Sequence, residues 1–281
     1  MEKIGGQEVL MVHAEADDLI KVMVAEKEEE NTSGIMELFW TRPNLAEELA
    51  VSDLAILQKE TGTKVCIAHT STKEAVEIKN REIKSGNEFY LETCPHYLAY
   101  TKEIYRTEEG GLYAMNPPLK GEEDRKRLWM GILDGSIDLL STDHCPFNRK
   151  QKLKYRDYRM VPCGLGGLQM RMQYLFSEGV KERGLTMKRF VELTSENAAK
   201  IYKLYPKKGR IGRGADGDLV FIDPNTEWTY TKKDFVSRCD YDIFENRTFK
   251  GKIVKVMSRG ETVYEEGKVT ADEGRGKYIG I

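Results

Sequence analysis

Histidine is scarce in this chain of 281 residues, cysteine is unpaired, and no long apolar run occurs. The five cysteines (Cys66, Cys94, Cys145, Cys163, Cys239) are odd in number and include no CxxC pair. Such usage suits a reduced, cytoplasmic setting better than a disulfide framework. No stretch of about 18 apolar residues marks a membrane span. The opening segment, Met1–Gln7, lacks the apolar core and small-residue cleavage site of a signal peptide. Charge of neither sign prevails: 44 basic against 46 acidic residues leave a net charge of -2. That balance argues against a dedicated nucleic-acid or membrane-surface protein. Repeats and low-complexity segments are absent as well. The four histidines are too far apart in sequence for a local metal motif, since no two stand at i, i+2 or i, i+4.

What is present is an α/β pattern with 40% hydrophobic residues, enough for a real core. Val9–Ala14, Lys64–Thr70, Glu88–Cys94 and Ile137–Asp143 read as strands. Asp17–Glu30, Leu45–Glu60, Thr72–Lys84 and Glu122–Asp134 read as helices between them, and further helices are expected over Leu165–Ser177 and Thr186–Leu204. Near-continuous apolar strands alternating with helices indicate parallel β/α units whose sheet is buried on both faces. After Gly209 the texture changes to short strands with glycine turns: Asp218–Asp223, Lys252–Ser258 and Glu261–Glu265.

Polar residues stand where the apolar strands end: His13, His69, Thr93 and Asp143. In a β/α barrel the C-terminal strand ends form the chemical face, so side chains far apart in sequence converge there. Imidazole nitrogens and a carboxylate suit zinc or a similar divalent ion. A lone histidine is more often a structural hydrogen-bonding residue. His13, His69 and Asp143 each ending a β/α strand is what favours the metal reading, and spacing alone leaves both readings open.

The phrases VHAE at 12–15, IAHTST at 67–72, ETCPHYL at 92–98, NPPLK at 116–120, STDHCPF at 141–147, PCGLGGLQMR at 162–171 and TSENAAKIYKLYPKKGRIGRGADGDLVFID at 194–223 occur in that order. Together they resemble the hydantoinase/dihydropyrimidinase family of the cyclic amidohydrolases, over nearly the whole chain. The resemblance implies an α/β fold, the C-terminal half of a (β/α)8 TIM-type barrel with part of a small β-sandwich. The implied division is a partial barrel over 1–205 and a β-sandwich segment and tail over 206–281. It further implies two divalent metals, usually zinc, bridged by a carbamylated lysine and a hydroxide. His13 and His69 would bind one metal from strands five and six. Asp143, on strand eight, would bind the other and take the proton of the attacking hydroxide. Two cations lower the pKa of water and polarise an amide carbonyl, and a carboxylate can carry the proton to the leaving nitrogen. Asn116 and Cys163 match positions whose main chain contacts the ring amide; asparagine is common at the latter, so Cys163 is a departure.

The family's first-strand His-x-His pair has no counterpart here, and the bridging lysine is expected before residue 1. Met1–Gly6 resembles the end of the helix before strand five, so the chain is expected to be N-terminally truncated. The expected reaction is hydrolysis of a cyclic amide C–N bond in a small hydantoin or dihydropyrimidine, by a homo-oligomer (tetrameric in the family). DHCPF favours this over dihydroorotase, while TCPHYL and NPPL lean toward allantoinase and dihydroorotase. A non-catalytic dihydropyrimidinase-like scaffold is the rival from another class; such relatives generally lose the ligands that His13, His69 and Asp143 retain.

Three weaker signals have plainer readings. Gly212-x-Gly214-x-x-Gly217 fits a dinucleotide fingerprint as a string, but a strand is expected after it where a helix is required. The basic run Arg149–Arg159 reads as a solvated loop more readily than as a nucleic-acid patch. His96 and His144, beside the site phrases, read as supporting or structural residues.

Overall fold

The computed structural model describes residues 8–85 and 88–279. The reading of Met1–Gly6 lies outside the described residues. The expected alternation is there: β1 (Val9–Val12), α1 (Asp17–Glu29), a single turn α2 (Glu37–Trp40), α3 (Asn44–Thr61), β2 (Lys64–Ile67), α4 (Lys73–Ser85), β3 (Phe89–Thr93), a short α5 (Pro95–Ala99), α6 (Glu122–Asp134) and β4 (Leu139–Leu140). The four strands are parallel and lie in chain order, β1-β2-β3-β4. Val9 pairs with Lys64, Val65 with Phe89 and Glu92 with Leu139. A singly wound parallel sheet brings every strand's C-terminal end to one edge, which makes that edge the place to look for chemistry.

Packing explains the apolar runs. Val65, Cys66, Ile67, Phe89 and Leu91 are buried almost completely, as a strand covered on both faces requires. Leu128, Ile132, Ala75 and Val76 on α6 and α4 are equally buried. Local signals set the helix ends. Gly62 closes α3 in the left-handed region at φ 66°, with its N–H on Gln58 O. Asp124 accepts from Gly121 N at 3.0 Å at the start of α6, and Gly135 at φ 94° ends that helix.

Two elements differ from expectation. Ile137–Asp143 keeps only Leu139–Leu140 as strand, because the chain leaves the ladder at Ser141 N→Thr93 O, 2.9 Å, and turns at Asp143. The helix expected from Leu165 starts at Arg171. Before it, Cys145 N donates to Leu165 O at 2.8 Å, and the main-chain N–H groups of Gly167 and Leu168 donate to His144 Nδ1. An open Gly166-Gly167 loop permits those bonds; a helix would use the N–H groups itself.

The chain divides into two compact units between Arg171 and Met172, with Ser237–Ile243 returning to the first. The texture change near residue 206 marks where helix gives way to strand. The helical stretch 172–201 lies in the second unit because its side chains bond to that unit's sheet. Gln173 Nε2 donates to Gly251 O at 2.8 Å, Lys250 N to Ser177 Oγ at 2.9 Å, and Arg247 pairs with Glu178 at 2.6 Å. The sheet is antiparallel, in the order β5 (Leu219–Thr229), β6 (Thr248–Ser258), β7 (Glu261–Glu265), β8 (Lys268–Val269).

Candidate functional site

β1 ends at Val12 and delivers His13 to the C-terminal edge; β2 delivers His69 beside it. Ala68 N reaches back to Val12 O at 2.9 Å, and Thr70 N reaches Glu92 O at 2.6 Å, so His69 is held between neighbouring strands. Its backbone sits at φ 37°, an uncommon conformation for a residue with a side chain, maintained here by those flanking bonds. His13 Nδ1 lies 3.0 Å from His69 Nε2, with the rings edge to face at 4.7 Å between centroids. His69 is buried, and burial is the main cause holding its pKa down. The neighbouring His13 adds to that effect, and the charge of Asp143 opposes it.

The two imidazole nitrogens either share one proton or flank a cation. A tetrahedral zinc with nitrogens at its usual bond length would separate them by about 3.3 Å. The observed 3.0 Å is close to that, and the donor type is right for a borderline divalent metal, so the pair fits one end of a metal centre. Among the described residues, no group of three or more His, Cys, Asp or Glu is arranged to hold a metal ion.

Glu15 bonds to one member of this pair. Its side chain is only 1% exposed, yet its Oε2 meets His13 Nε2 at 2.9 Å and pairs with the Arg42 guanidinium. Burial pushes the Glu15 pKa up, but the His13 hydrogen bond and the Arg42 and Lys120 charges outweigh it and leave it lowered. Arg42 stands just before α3, and its carbonyl accepts from the buried Lys120 Nζ at 2.6 Å. Burial lowers the Lys120 pKa, opposed by the charges of Glu47, Glu15 and Asp124. Glu47, on the first turn of α3, is buried and accepts from Ser71 N at 2.9 Å, Thr72 N at 3.3 Å and the Ser71 hydroxyl. Asp124 completes the support, accepting from Lys73 N at 3.0 Å and Asn44 Nδ2 at 2.8 Å. The loop that follows His69 is thus held by buried carboxylates.

Asp143 sits beyond β4 in an exposed, left-handed turn at φ 45°. Its charge registers at both His69 and Glu92. Glu92 is nearly buried, accepts from Ser141 Oγ at 2.5 Å and from the His69 N–H, and has its pKa raised chiefly by burial. Asn116 and Cys163 lie on segments that touch: Gly164 N donates to Ala114 O at 2.9 Å. Lys152, with no exposed surface, links the same segments through Ala114 O at 2.5 Å and Pro162 O at 2.8 Å. Arg42 and Glu15 are near enough for their charges to register at Cys163. The structure therefore brings His13 and His69 into contact, and the charge of Asp143 bears on His69.

The remaining histidines do other work. His96 is buried, and desolvation, with a smaller contribution from His69, brings its pKa down to about 3. His144 pins the 167–168 loop. In the 212–217 string, Gly217 packs against the Gly260 backbone and β5 follows at Leu219, so a hairpin neighbour stands where a phosphate-binding helix would be needed. Within the basic run, Arg149 pairs with Glu109, and Arg159 with Asp157 and Glu28. Glu15, Glu92 and Lys120 escaped the sequence reading although all lie inside the quoted phrases. Arg42, Glu47 and Lys152 carry no local signal.

A singly wound parallel sheet with a facing imidazole pair at its C-terminal edge suits a metal-dependent hydrolase. The chain belongs to the amidohydrolase family, whose sequence profile matches residues 10–263. Within that family its relatives are hydantoinases and dihydropyrimidinases. The D-phenylhydantoinases of Escherichia coli and Shigella boydii are each 36% identical over 242 residues, covering 85% of this chain and 52% of those proteins. A crystal structure of D-hydantoinase superposes with a TM-score of 0.93 at 31% identity, covering 97% of this chain and 60% of that one. The dihydropyrimidinase from Brevibacillus agri gives 0.93 at 30% identity, with the same coverage. The chain spans about half the length of these curated relatives.

Proposed function

We propose that this chain contributes one half of a cyclic amidohydrolase that opens the ring amide of a hydantoin or dihydropyrimidine. The observation that carries the reading is the His13 Nδ1–His69 Nε2 pair, 3.0 Å apart at the ends of adjacent parallel strands. In this reading the four β/α units are half of a (β/α)8 barrel completed by further strands, and residues 206–281 supply part of a β-sandwich. His13 and His69 hold one divalent ion, zinc by preference, and Asp143 helps to hold a second. Such ions, when bound, polarise the amide carbonyl and acidify water. Asp143 accepts the proton of the attacking water and returns it to the ring nitrogen as the C–N bond breaks. The main chain at Asn116 and Cys163 orients the ring amide. A homo-oligomer in a reducing cytoplasm accords with the same reading.

The test is ring opening of hydantoin and dihydrouracil in the presence of zinc. The 281-residue chain is assayed alone and with a polypeptide supplying the complementary strands, His-x-His pair and bridging lysine. Turnover is expected only in the combined form, and Asp143→Ala should abolish it, because ligands and base act as a unit. Comparable turnover by the chain alone, or by Asp143→Ala, would refute the assignment.

A further inference from the structure

The proposed reaction leaves one buried arrangement without a role: Glu15 shared between His13 and Arg42. An ionised carboxylate is acceptor-only, so a Glu15 Oε2 at 2.9 Å from His13 Nε2 requires a proton on that nitrogen. In a neutral imidazole the other nitrogen, Nδ1, then carries the lone pair. Nδ1 is the atom that faces His69 Nε2 at 3.0 Å. The glutamate has little freedom to choose otherwise. It is 1% exposed, it is paired with Arg42, and Arg42 is tied through its carbonyl to the buried Lys120 Nζ at 2.6 Å.

We propose that Glu15, held by Arg42, is a positioning residue that locks His13 in the Nε2–H tautomer and aims its Nδ1 lone pair at the cation site. This rests on the metal reading of His13 and His69, but it concerns a state of His13 that exists with or without metal. His13 is half exposed, its side chain 45% accessible, so packing alone does not fix its ring. A carboxylate anchored beneath it does, and such orienting partners are worth about 10–100-fold in metal affinity. Lys120 ends the NPPLK phrase that begins at Asn116, so the anchor of the metal ligand is also attached to the segment expected to read substrate.

The decisive measurement is the tautomer of His13 by long-range proton–nitrogen NMR, on the 15N-labelled chain at about pH 8, above the ordinary histidine pKa. Chelator is present, and His13→Gln identifies the signals among the four histidines. The wild-type chain should show Nε2–H and an unprotonated Nδ1. Glu15→Leu should lose that preference, and Glu15→Gln, which can still present an acceptor oxygen, should largely keep it. Zinc titration should follow the same order, with Glu15→Leu weakened about 10–100-fold. Arg42→Met, which leaves the carboxylate but frees it, should fall between. Nδ1–H in the wild-type chain overturns the proposal even if the variants fail to fold. So do tautomer and zinc affinity that are unchanged in Glu15→Leu. Nε2–H in the wild-type chain, lost in Glu15→Leu, with no ring opening by the combined form would leave the proposal standing and sink the proposed reaction.

Discussion

Replacing Glu47 tests whether the site is held from beneath by buried charge. Glu47→Leu removes the acceptor of two backbone N–H groups and one hydroxyl on Ser71 and Thr72, and takes the counter-charge from Lys120. Both side chains are essentially buried, Glu47 at 1% and Lys120 at 3% exposure, so solvent replaces little of what is lost. Burial raises the Glu47 pKa and lowers that of Lys120, each opposed by the other's charge, and removing one partner of such a buried charge arrangement costs up to about 3–5 kcal/mol. Stranded donors each cost about 1–3 kcal/mol, and these penalties overlap rather than add. The expected loss is therefore about 3–5 kcal/mol. Lys120→Met should lose a similar amount, since it removes the positive charge that opposes the burial of Glu47 and frees the Arg42 carbonyl. The double variant should be less unstable than the sum of the singles by roughly 2 kcal/mol, in the range of coupled neighbours. Urea unfolding of the four proteins measures this, and hydrogen exchange at Ser71 and Thr72 should accelerate in Glu47→Leu. A loss below about 1 kcal/mol, or single effects that add within about 0.5 kcal/mol, would refute the account of a charge-supported loop.

Acid should weaken the fold through His96. Its pKa falls from 6.5 to about 3 on folding because burial disfavours the charged ring. The unfolded chain thus binds the extra proton between those values; the stability is complete above pH 6.5 and is lost as pH falls toward 3. The slope approaches about 1.4 kcal/mol per pH unit, or roughly 3 kcal/mol between pH 6.5 and 4. Unfolding free energies of wild type and His96→Gln against pH should converge by that amount, and parallel curves would disprove it. In the second unit, Gly251→Ala should destabilise by about 2–4 kcal/mol, combining left-handed strain with overpacking. Gly251 sits at φ 77°, and an added Cβ would lie 2.3 Å from the Phe176 ring. An unchanged melting midpoint would show that the ring moves aside freely.

Periodicity, turn chemistry and end signals are enough to read most of the elements from sequence. The Glu122–Asp134 helix matches its expected limits because Gly121, Asp124 and Gly135 are local instructions, sufficient without the rest of the chain. The apolar runs at β2 and β3 announced strands covered on both faces, and the polar residues at their ends pointed to the edge where His13 and His69 meet. What decided the site lies between elements. The contact of His13 with His69 spans 56 positions and depends on the parallel pairing of β1 with β2, together with a left-handed turn at His69 that no residue preference announces. Arg42 and Glu47 carry no local signal; only folding buries Glu47 under the loop it supports and sets Arg42 against Glu15. Ile137–Asp143 looked like a full strand, yet its last residues leave the ladder to make the Asp143 turn. Local propensity acts over a few neighbouring residues and is written in the chain, whereas burial and charge pairing are fixed only when distant segments close over one another.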